Sequence, residues 1–269
     1  MALPTFNPKQ NAPSSAKEQF DRQATHYNAQ WNSWTASSLD WLLAQATCQP
    51  TDIALDVATG TGFTALAFAP HVQSVVGLDV SPGMLSQAEQ NQAARGITNV
   101  SWWEGAAEAL PFPEASFSVV TCRIAPHHFQ SVPAFLAEVY RVLTPGGRFL
   151  LADTTIPDDD PTTGEWQNRV EALRDPSHAR NLAPSEWRKA MAEAGLTVQA
   201  MNLAGGTTPM SLNDWLEKAG CTNAPAAAVR QAFATAPPAA VEAFQIRVAP
   251  PDDYTFVWQR LVAKAEKLG

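Results

Sequence analysis

The sequence predicts an α/β fold in which helices cover both faces of a doubly wound, largely parallel sheet. The first observation is an apolar run at 53–57 that leads directly into a turn containing Gly60 and Gly62. The second is another apolar run, 75–78, which ends at the acid Asp79. The third is the alternation of strand and helix patterns through the first half of the chain. Such a sheet binds ligands across the carboxyl ends of its strands.

The amino-terminal segment carries no strand pattern. Residues 1–17 are rich in Pro, Ser, Asn and Ala, which predicts a flexible arm. We expect 18–269 to form a single domain that begins with a helical cover over 18–50. Ser37 or Ser38 can cap a helix in this cover, because the apolar residues that follow fall on one helical face.

Residues 51–154 are expected to build the first part of the sheet. After the strand that ends at Asp79, Ser81 and Pro82 begin a helix, since a capping hydroxyl precedes a proline at the first helical position. Gly96 ends that helix. Further strands are predicted at 100–104, 117–122 and 148–153, with a helix at about 133–143.

The pattern changes in residues 155–253. An acidic, turn-rich loop comes first, and the expected elements after it are a helix at about 166–173, a helix from Ser185 to Gly195 and a sixth strand at 197–202. The Ala- and Pro-rich stretch within 205–250 predicts short helices inserted before the last strand. We interpret this insertion as a packing extension or dimer contact, with a lid over the site as the alternative. The last strand is predicted at 254–263, within a carboxyl-terminal segment 254–269.

Composition excludes several classes of protein. The chain has 269 residues and a net charge of −8, without a run of Lys or Arg that could neutralise a phosphate backbone, so we expect no nucleic-acid partner. Three widely spaced cysteines fit neither a disulfide framework nor a zinc site. The amino terminus lacks the pattern of a signal peptide, and no apolar stretch is long enough to span a membrane. We therefore expect a cytoplasmic protein.

The glycine turn predicts a nucleotide-type cofactor site but leaves the cofactor ambiguous. Gly60, Gly62 and Ala65 satisfy the dinucleotide fingerprint, and Asp79 lies 19 residues beyond Gly60, where an acid can accept hydrogen bonds from ribose hydroxyls. Asp56 ends the first strand, however, and a carboxylate there repels a pyrophosphate and attracts an ammonium group. The two acids therefore favour a cationic, phosphate-free nucleoside over NAD.

Several motifs in one order resemble the class I S-adenosylmethionine-dependent methyltransferases, over roughly 18–200. Residues 56–62, DVATGTG, are similar to the first motif of that family, and 77–85, GLDVSPGML, to its ribose and adenine segment. Residues 108–112, EALPF, and 141–147, RVLTPGG, resemble the subgroup of ubiquinone and menaquinone biosynthesis methyltransferases. The resemblance implies a Rossmann-like sheet of seven strands with an antiparallel last strand.

The resemblance also implies which residues bind S-adenosylmethionine. One departure is Ala106, where the family commonly has an acid that contacts the adenine amino group; losing one such hydrogen bond costs about 0.5–1.5 kcal/mol, unless Glu108 or a backbone carbonyl substitutes. For Arg123, pairing with an acid such as Glu138 is an equal alternative. The implied cofactor residues are Tyr27, Asp56, Ala58, Gly60, Thr61, Gly62, Asp79, Val80, Met84, Ala106, Ala107, Glu108 and Arg123.

Methyl transfer is an in-line displacement, so positioning supplies most of the catalysis and neither a metal nor a covalent nucleophile is required. A hydroxyl or acidic carbon must lose a proton, and a histidine suits that role. His128 is the preferred base and His127 the second candidate, with a scaffolding role as the alternative for either. The nine tryptophans favour an aromatic pocket. The predicted acceptor-binding residues are Trp31, His128, Trp166 and His178.

These observations predict an enzyme that transfers a methyl group from S-adenosylmethionine to O, C or N of a small apolar or aromatic acceptor, as a monomer or homodimer. One alternative is an NAD-dependent oxidoreductase, which requires the turn to carry a pyrophosphate. The other is a non-catalytic protein that binds S-adenosylmethionine.

Overall fold

The computed structural model describes residues 17–18, 20–21, 36–203 and 209–269. Seven strands form one sheet in the order β3-β2-β1-β4-β5-β10-β6, and three short strands form a second sheet in the order β7-β9-β8. The strands are β1 Ile53–Val57, β2 Ser74–Asp79, β3 Val100–Glu104, β4 Phe117–Arg123, β5 Leu143–Thr154, β6 Leu196–Leu203, β7 Met210–Ser211, β8 Arg247–Ala249, β9 Asp253–Phe256 and β10 Arg260–Lys267.

Helices connect the strands of the large sheet and build the insertion. Several begin where the sequence supplies a cap: the Ser81 hydroxyl accepts a hydrogen bond from the Met84 amide, and Gly96 ends the same helix in the left-handed conformation. Within the described part of the chain, no helix is both long and apolar enough to cross a membrane. The helices are α1 Ala36–Ala46, α2 Phe63–Phe68, α3 Pro82–Arg95, α4 Val132–Val142, α5 Pro161–Arg174, α6 Pro184–Glu193, α7 Leu212–Lys218, α8 Asn223–Ala234 and α9 Pro238–Ala243.

The large sheet is doubly wound, as predicted. Strands β1 to β5 pair in parallel, whereas β10 runs antiparallel to both β5 and β6. Alternate residues of a strand point to opposite faces. In β1, Leu55 therefore packs into the core on one face and Ala54 into the core on the other. The two cores hold the carboxyl ends of the strands in a fixed arrangement, where a doubly wound sheet binds its ligands.

A third apolar cluster lies away from these two cores. Trp166 and Val170 of α5 pack against Trp215, Phe233 and other buried residues of the insertion. The insertion is thus attached to α5 and carries its own small sheet, because Asp253–Phe256 pairs with β7 and β8. The prediction of one last strand at 254–263 was wrong in its boundaries, since the strand of the large sheet begins at Arg260.

The two adjacent tryptophans of strand β3 have different environments. Trp102 packs against a core cluster, but Trp103 is 48% exposed rather than packed in a core. The reason is that β3 forms an edge of the large sheet and has a paired neighbour on one side alone.

Candidate active site

A cavity lies at the carboxyl ends of β1, β2 and β4, beneath α5 and the insertion. This is the crevice where open α/β sheets bind ligands. The strand ends and the turns that follow them contribute Ala58, Thr59, Gly60, Thr61, Phe63, Thr64, Asp79, Met84, Arg123, Ile124, Ala125, His127, His128 and Thr154. The cover contributes Phe20, Glu171, Arg174, Asp175, Trp215 and Trp258.

The turn after β1 uses its two glycines differently. Both have positive φ, +55° at Gly60 and +84° at Gly62, a conformation that favours glycine. A Cβ added to Gly60 would meet no atom within 4 Å, so the bare backbone faces open space in the cavity wall. A Cβ on Gly62 would lie 2.6 Å from the Trp102 ring. Gly60 therefore leaves room for a ligand, whereas Gly62, which does not line the cavity, is required for packing.

Asp79 presents a carboxylate to the cavity at the end of β2. Its Oδ2 accepts a hydrogen bond of 2.8 Å from the Gly60 amide, and its Oδ1 accepts one of 3.0 Å from the Ser81 amide. Burial raises the pKa of this carboxyl to about 6, although these amides favour the ionised form. The remaining lone pairs of the carboxylate are available to donors in the cavity.

Asp56 lies below the turn and does not line the cavity. Its carboxylate accepts hydrogen bonds of 2.6 Å from the Thr59 hydroxyl and 2.7 Å from the Thr121 hydroxyl, and the residue is 2% exposed. Burial raises its pKa despite these two bonds. The geometry therefore departs from the prediction that Asp56 contacts an ammonium group. One carboxylate oxygen binds Thr59 in the turn after β1, and the other binds Thr121 of β4.

Arg123 ends β4 and lines the cavity, where its Nε donates a 2.9 Å hydrogen bond to the Thr64 hydroxyl. The alternative partner, Glu138, instead holds Arg141 at 2.7 Å. Arg123 is therefore oriented toward the turn after β1, on the cofactor side of the cavity.

The other predicted cofactor residues divide into two groups. Ala58, Thr61 and Met84 line the cavity, as Gly60 and Asp79 do. The second group does not: Ala106 is exposed, Ala107 is buried, and a carboxylate oxygen of Glu108 accepts a 2.9 Å hydrogen bond from the Gln130 amide. Val80 is also absent from the wall. Tyr27 lies outside the described residues.

The turn after β4 is strained and carries the two adjacent histidines. Ile124 has φ +54°, which is unusual for a β-branched residue, and its amide is held by the Ala152 carbonyl at 2.7 Å. Pro126 begins the short 3₁₀ turn Pro126–His128. Backbone strain of this kind is concentrated at functional sites. The turn directs both histidines to the cavity wall.

The two histidines have different electrostatic environments. His127 Nδ1 lies 2.6 Å from Asp153 Oδ1; burial lowers the pKa of His127, but the Asp153 carboxylate outweighs burial and raises it overall. Burial and the neighbouring His127 charge lower the pKa of His128 to about 3. The contact with Asp153 therefore favours the protonated form of His127, whereas His128 is neutral at physiological pH.

His128 is held from two sides within the described structure. Its Nδ1 lies 3.0 Å from the Ser177 hydroxyl, and its ring meets Phe20 edge-on at a centroid distance of 5.0 Å. Neutral imidazole has one ring nitrogen that carries a proton and one that accepts. One nitrogen of the neutral ring therefore carries a lone pair in the cavity wall, and its pKa of about 3 makes it a weak base.

Two of the predicted acceptor-binding residues do not line the cavity, and their role stays a prediction. Trp166 stacks on Phe244 in the third cluster, and neither Trp166 nor His178 lines the cavity. His178 Nε2 lies 3.1 Å from Asn168 Oδ1, and burial, with the His127 charge, lowers the pKa of His178 to about 2. Trp31 lies outside the described residues.

Sequence reasoning missed the polar residues of the cover. Glu171 and Asp175 are four residues apart, and Arg174 lies between them over the Trp215 ring, 4.4 Å from its centroid. The spacing of four residues between the two acids, one in the last turn of α5 and one just after it, was a signal that could have found them. Trp258 could not be predicted from the sequence, because it follows β9 of a small sheet that no motif predicts.

Comparison with known proteins decides the family. The family described as “Methyltransferase domain” matches residues 55–151. The protein named “Uncharacterized methyltransferase YcgJ” of Bacillus subtilis (strain 168) is 36% identical over 201 residues, which are 75% of this chain and 78% of that protein. The chain belongs to the class I methyltransferases. A crystal structure of the YcgJ protein superposes on this methyltransferase with a TM-score of 0.80 and 32% identity, over 86% of this chain and 98% of that one.

Two other relatives of this methyltransferase are more distant. A demethylmenaquinone methyltransferase of Symbiobacterium thermophilum is 37% identical over 153 residues, 52% of this chain and 59% of that protein. Geranyl diphosphate C-methyltransferase of Streptomyces coelicolor A3(2), solved with Mg2+, geranyl diphosphate and S-adenosyl-L-homocysteine, has a TM-score of 0.64 and 13% identity over 96% of this chain and 86% of that one. The latter likeness concerns the fold alone.

Proposed function

We propose that this class I methyltransferase transfers a methyl group from S-adenosylmethionine to a small apolar or aromatic acceptor. The observation that carries the proposal is the Asp79 carboxylate in the cavity wall, 2.8 Å from the amide of Gly60, whose own Cα faces open space. An acid at the end of the second strand beside a bare turn suits an adenosyl group, because the ribose has two hydroxyl donors and the turn allows close approach.

The residues of the cavity fit this cofactor chemically. Asp79 would accept from the ribose hydroxyls, and Met84 supplies an apolar, polarisable side chain on the same part of the wall. Arg123 is placed to pair with a carboxylate. Ala106 offers no side-chain acceptor to the adenine amino group, and Glu108 is already bound to the Gln130 amide, so we expect the adenine contact to come from backbone groups.

S-adenosylmethionine supplies an electrophilic methyl group on a sulfonium when it is bound. The chain orients the acceptor: Phe20, Trp215 and Trp258 provide aromatic walls opposite the turn after β1. His128 lines the same cavity with its ring against Phe20, and it would accept a proton from the acceptor as the new bond forms. Burial and, after it, the charge on His127 lower the pKa of His128 to about 3, so the ring is neutral and one of its nitrogens carries a lone pair.

The alternative cofactor, NAD, is less well suited to the same wall. A pyrophosphate over the turn would lie near two carboxylates, Asp56 beneath the turn and Asp79 in the wall. In a site of low dielectric such like-charge contacts are costly. Isothermal titration of the purified chain with each cofactor distinguishes the methyltransferase from the oxidoreductase. We expect saturable binding of S-adenosylmethionine and none of NAD. The reverse result would replace this proposal with that of an oxidoreductase.

Turnover is tested by incubating the protein with a small-molecule cell extract and heavy-methyl S-adenosylmethionine. Mass spectrometry should detect a labelled product that is absent when Asp79→Ala protein is used. Binding without any labelled product would favour the non-catalytic alternative. We also propose a cytoplasmic location and a monomeric or homodimeric state, which fractionation and light scattering test directly.

A further inference from the structure

We propose that Asp175 and Ser177 are positioning residues that hold His128 as the tautomer with its proton on Nδ1, so that Nε2 presents a lone pair to a hydroxyl group of the acceptor. This inference rests on the proposed methyl transfer for its chemical meaning. The tautomer itself is a property of the protein before any ligand binds. It therefore can be tested separately.

The hydrogen bonds at Ser177 fix the direction in which protons are donated along the series His128, Ser177 and Asp175. The Ser177 hydroxyl donates to Asp175 Oδ1 at 2.7 Å, and the Ser177 amide donates to the same oxygen at 2.9 Å. Burial raises the pKa of Asp175, but hydrogen bonds from the Ser177 hydroxyl and amide favour the ionised form and the pKa is lowered overall, so the carboxylate only accepts. A hydroxyl has one proton. Because that proton goes to Asp175, the Ser177 oxygen accepts from His128 Nδ1, 3.0 Å away.

Backbone hydrogen bonds hold Ser177 and His128 next to each other. The Ala179 and Arg180 amides both donate to the His127 carbonyl, at 2.8 and 3.1 Å, and thereby attach the segment after α5 to the turn after β4. The His178 amide donates to the Asp175 carbonyl at 3.0 Å and closes the turn that contains Ser177. These bonds set the position of Ser177 relative to His128 and do not depend on a ligand.

Asp175 occupies a position that local helix rules disfavour. It follows the last residue of α5, where the carbonyl end of the helix dipole is negative and a carboxylate is unfavourable. The residue is nonetheless 6% exposed and ionised. Departures from local rules are expected at functional sites. The contact with Ser177 and, through it, with His128 gives Asp175 a role that helix capping does not.

The groups around His128 keep its ring neutral, so the tautomer decides which ring nitrogen can act as a base. Burial and the charges of His127 and Arg174 lower its pKa, whereas Asp175 and a backbone hydrogen bond with Ser177 raise it. The rings of His127 and His178 lie beside it. Since burial and the His127 charge keep the ring neutral, only the nitrogen without a proton can act as a base. In the proposed reaction the acceptor O–H bond would break as its proton bonds to Nε2, and the oxygen would bond to the methyl carbon as the methyl–sulfur bond breaks and leaves a neutral thioether. The resulting imidazolium donates from Nδ1 to Ser177, and the charge is stabilised by Asp175.

The test is a long-range ¹H–¹⁵N NMR spectrum of the ¹⁵N-histidine-labelled full chain at neutral pH, which reports which ring nitrogen carries the proton. The His128 signals are assigned by their loss in His128→Gln. We expect the Nδ1–H tautomer in the unsubstituted protein. In Asp175→Ala the Ser177 hydroxyl is free to donate to Nδ1, and in Ser177→Ala the acceptor for Nδ1–H is gone, so both variants should shift His128 to the Nε2–H tautomer.

Asp160→Ala is the matched control. Asp160 caps the other end of α5, and like Asp175 its carboxylate accepts from a nearby hydroxyl and an amide, those of Thr163. This variant should keep the Nδ1–H tautomer. An Nε2–H tautomer or an imidazolium in the unsubstituted protein would overturn the inference, as would an unchanged tautomer in folded Asp175→Ala. Titration with S-adenosylmethionine by calorimetry tests the proposed function independently, because tautomer and cofactor binding can fail separately.

Discussion

The affinity for S-adenosylmethionine should depend on pH through one buried carboxyl group. In the ligand-free protein burial raises the pKa of Asp79 from 3.8 to about 6, with the charge of Asp56 adding to the effect. Two ribose hydroxyls that donate to the carboxylate favour its ionised form and lower the pKa in the complex. Binding therefore requires Asp79 to lose its proton, and affinity should fall as the pH drops below about 6.

The magnitude follows from the fraction of ionised Asp79. With a pKa of about 6, about ten elevenths of the molecules are ionised at pH 7 and about one eleventh at pH 5. The association constant should decrease about tenfold between these pH values, a loss of ~1.4 kcal/mol. At pH 6 binding should release about half a proton.

Isothermal titration from pH 5 to pH 7 measures this dependence, and repeating it in buffers of different ionisation enthalpy measures the proton release. Asp79→Asn is the control, because an amide cannot titrate and the weaker binding that remains should be flat over this range. Tight binding with a flat profile in the unsubstituted protein would refute the reasoning. So would an unchanged slope in Asp79→Asn.

Three further results are expected. Gly60→Ala should weaken S-adenosylmethionine binding in calorimetry and lower the free energy of unfolding by about 1–2 kcal/mol, the cost of a side chain at positive φ. Gly62→Ala should destabilise the protein more in a urea titration, because its Cβ would lie 2.6 Å from a tryptophan ring. Equal effects of the two substitutions on stability would contradict this assignment. His127→Gln leaves the buried Asp153 without its cation and should cost about 3–5 kcal/mol in the free energy of unfolding. The raised pKa of His127 contributes stability that is fully present below about pH 6.5 and is lost as the pH rises through the folded-state value, so the deficit of the variant should shrink at high pH. His128→Ala should lower turnover about 10²–10⁴-fold with unchanged cofactor affinity, and the heavy methyl in the extract product should lie on oxygen in its ¹³C spectrum; unchanged turnover would remove the base role.

Much of the fold could be predicted because it depends on local patterns. Strand β3 occupies exactly the predicted 100–104, and α4 differs from the predicted helix by one residue at each end. Apolar periodicity and capping residues define such elements without knowledge of distant contacts. The last strand was misplaced because 253–256 and 260–267 are both extended segments, and their pairing partners distinguish them.

The site was predictable where a motif fixes the backbone and not where packing decides the direction of a side chain. Gly60 and Asp79 follow from the order of strand, turn and acid, and both line the cavity. Asp56 belongs to the same motif, yet two threonines direct its carboxylate away from the cavity. Trp166 was expected at the acceptor, but it is buried in the third apolar cluster, which draws residues from α5, α7, α8, 240–246 and 256–258. No pattern in a single sequence specifies such contacts.

The central claim is that the bare turn at Gly60 and the Asp79 carboxylate hold an adenosyl group. A crystal structure of this methyltransferase grown with S-adenosylmethionine tests it most directly. We predict both ribose hydroxyls within hydrogen-bond distance of the Asp79 carboxylate, with the adenosyl group passing over Gly60. A complex in which the ribose lies elsewhere, with Asp79 directed to protein groups alone, would contradict it.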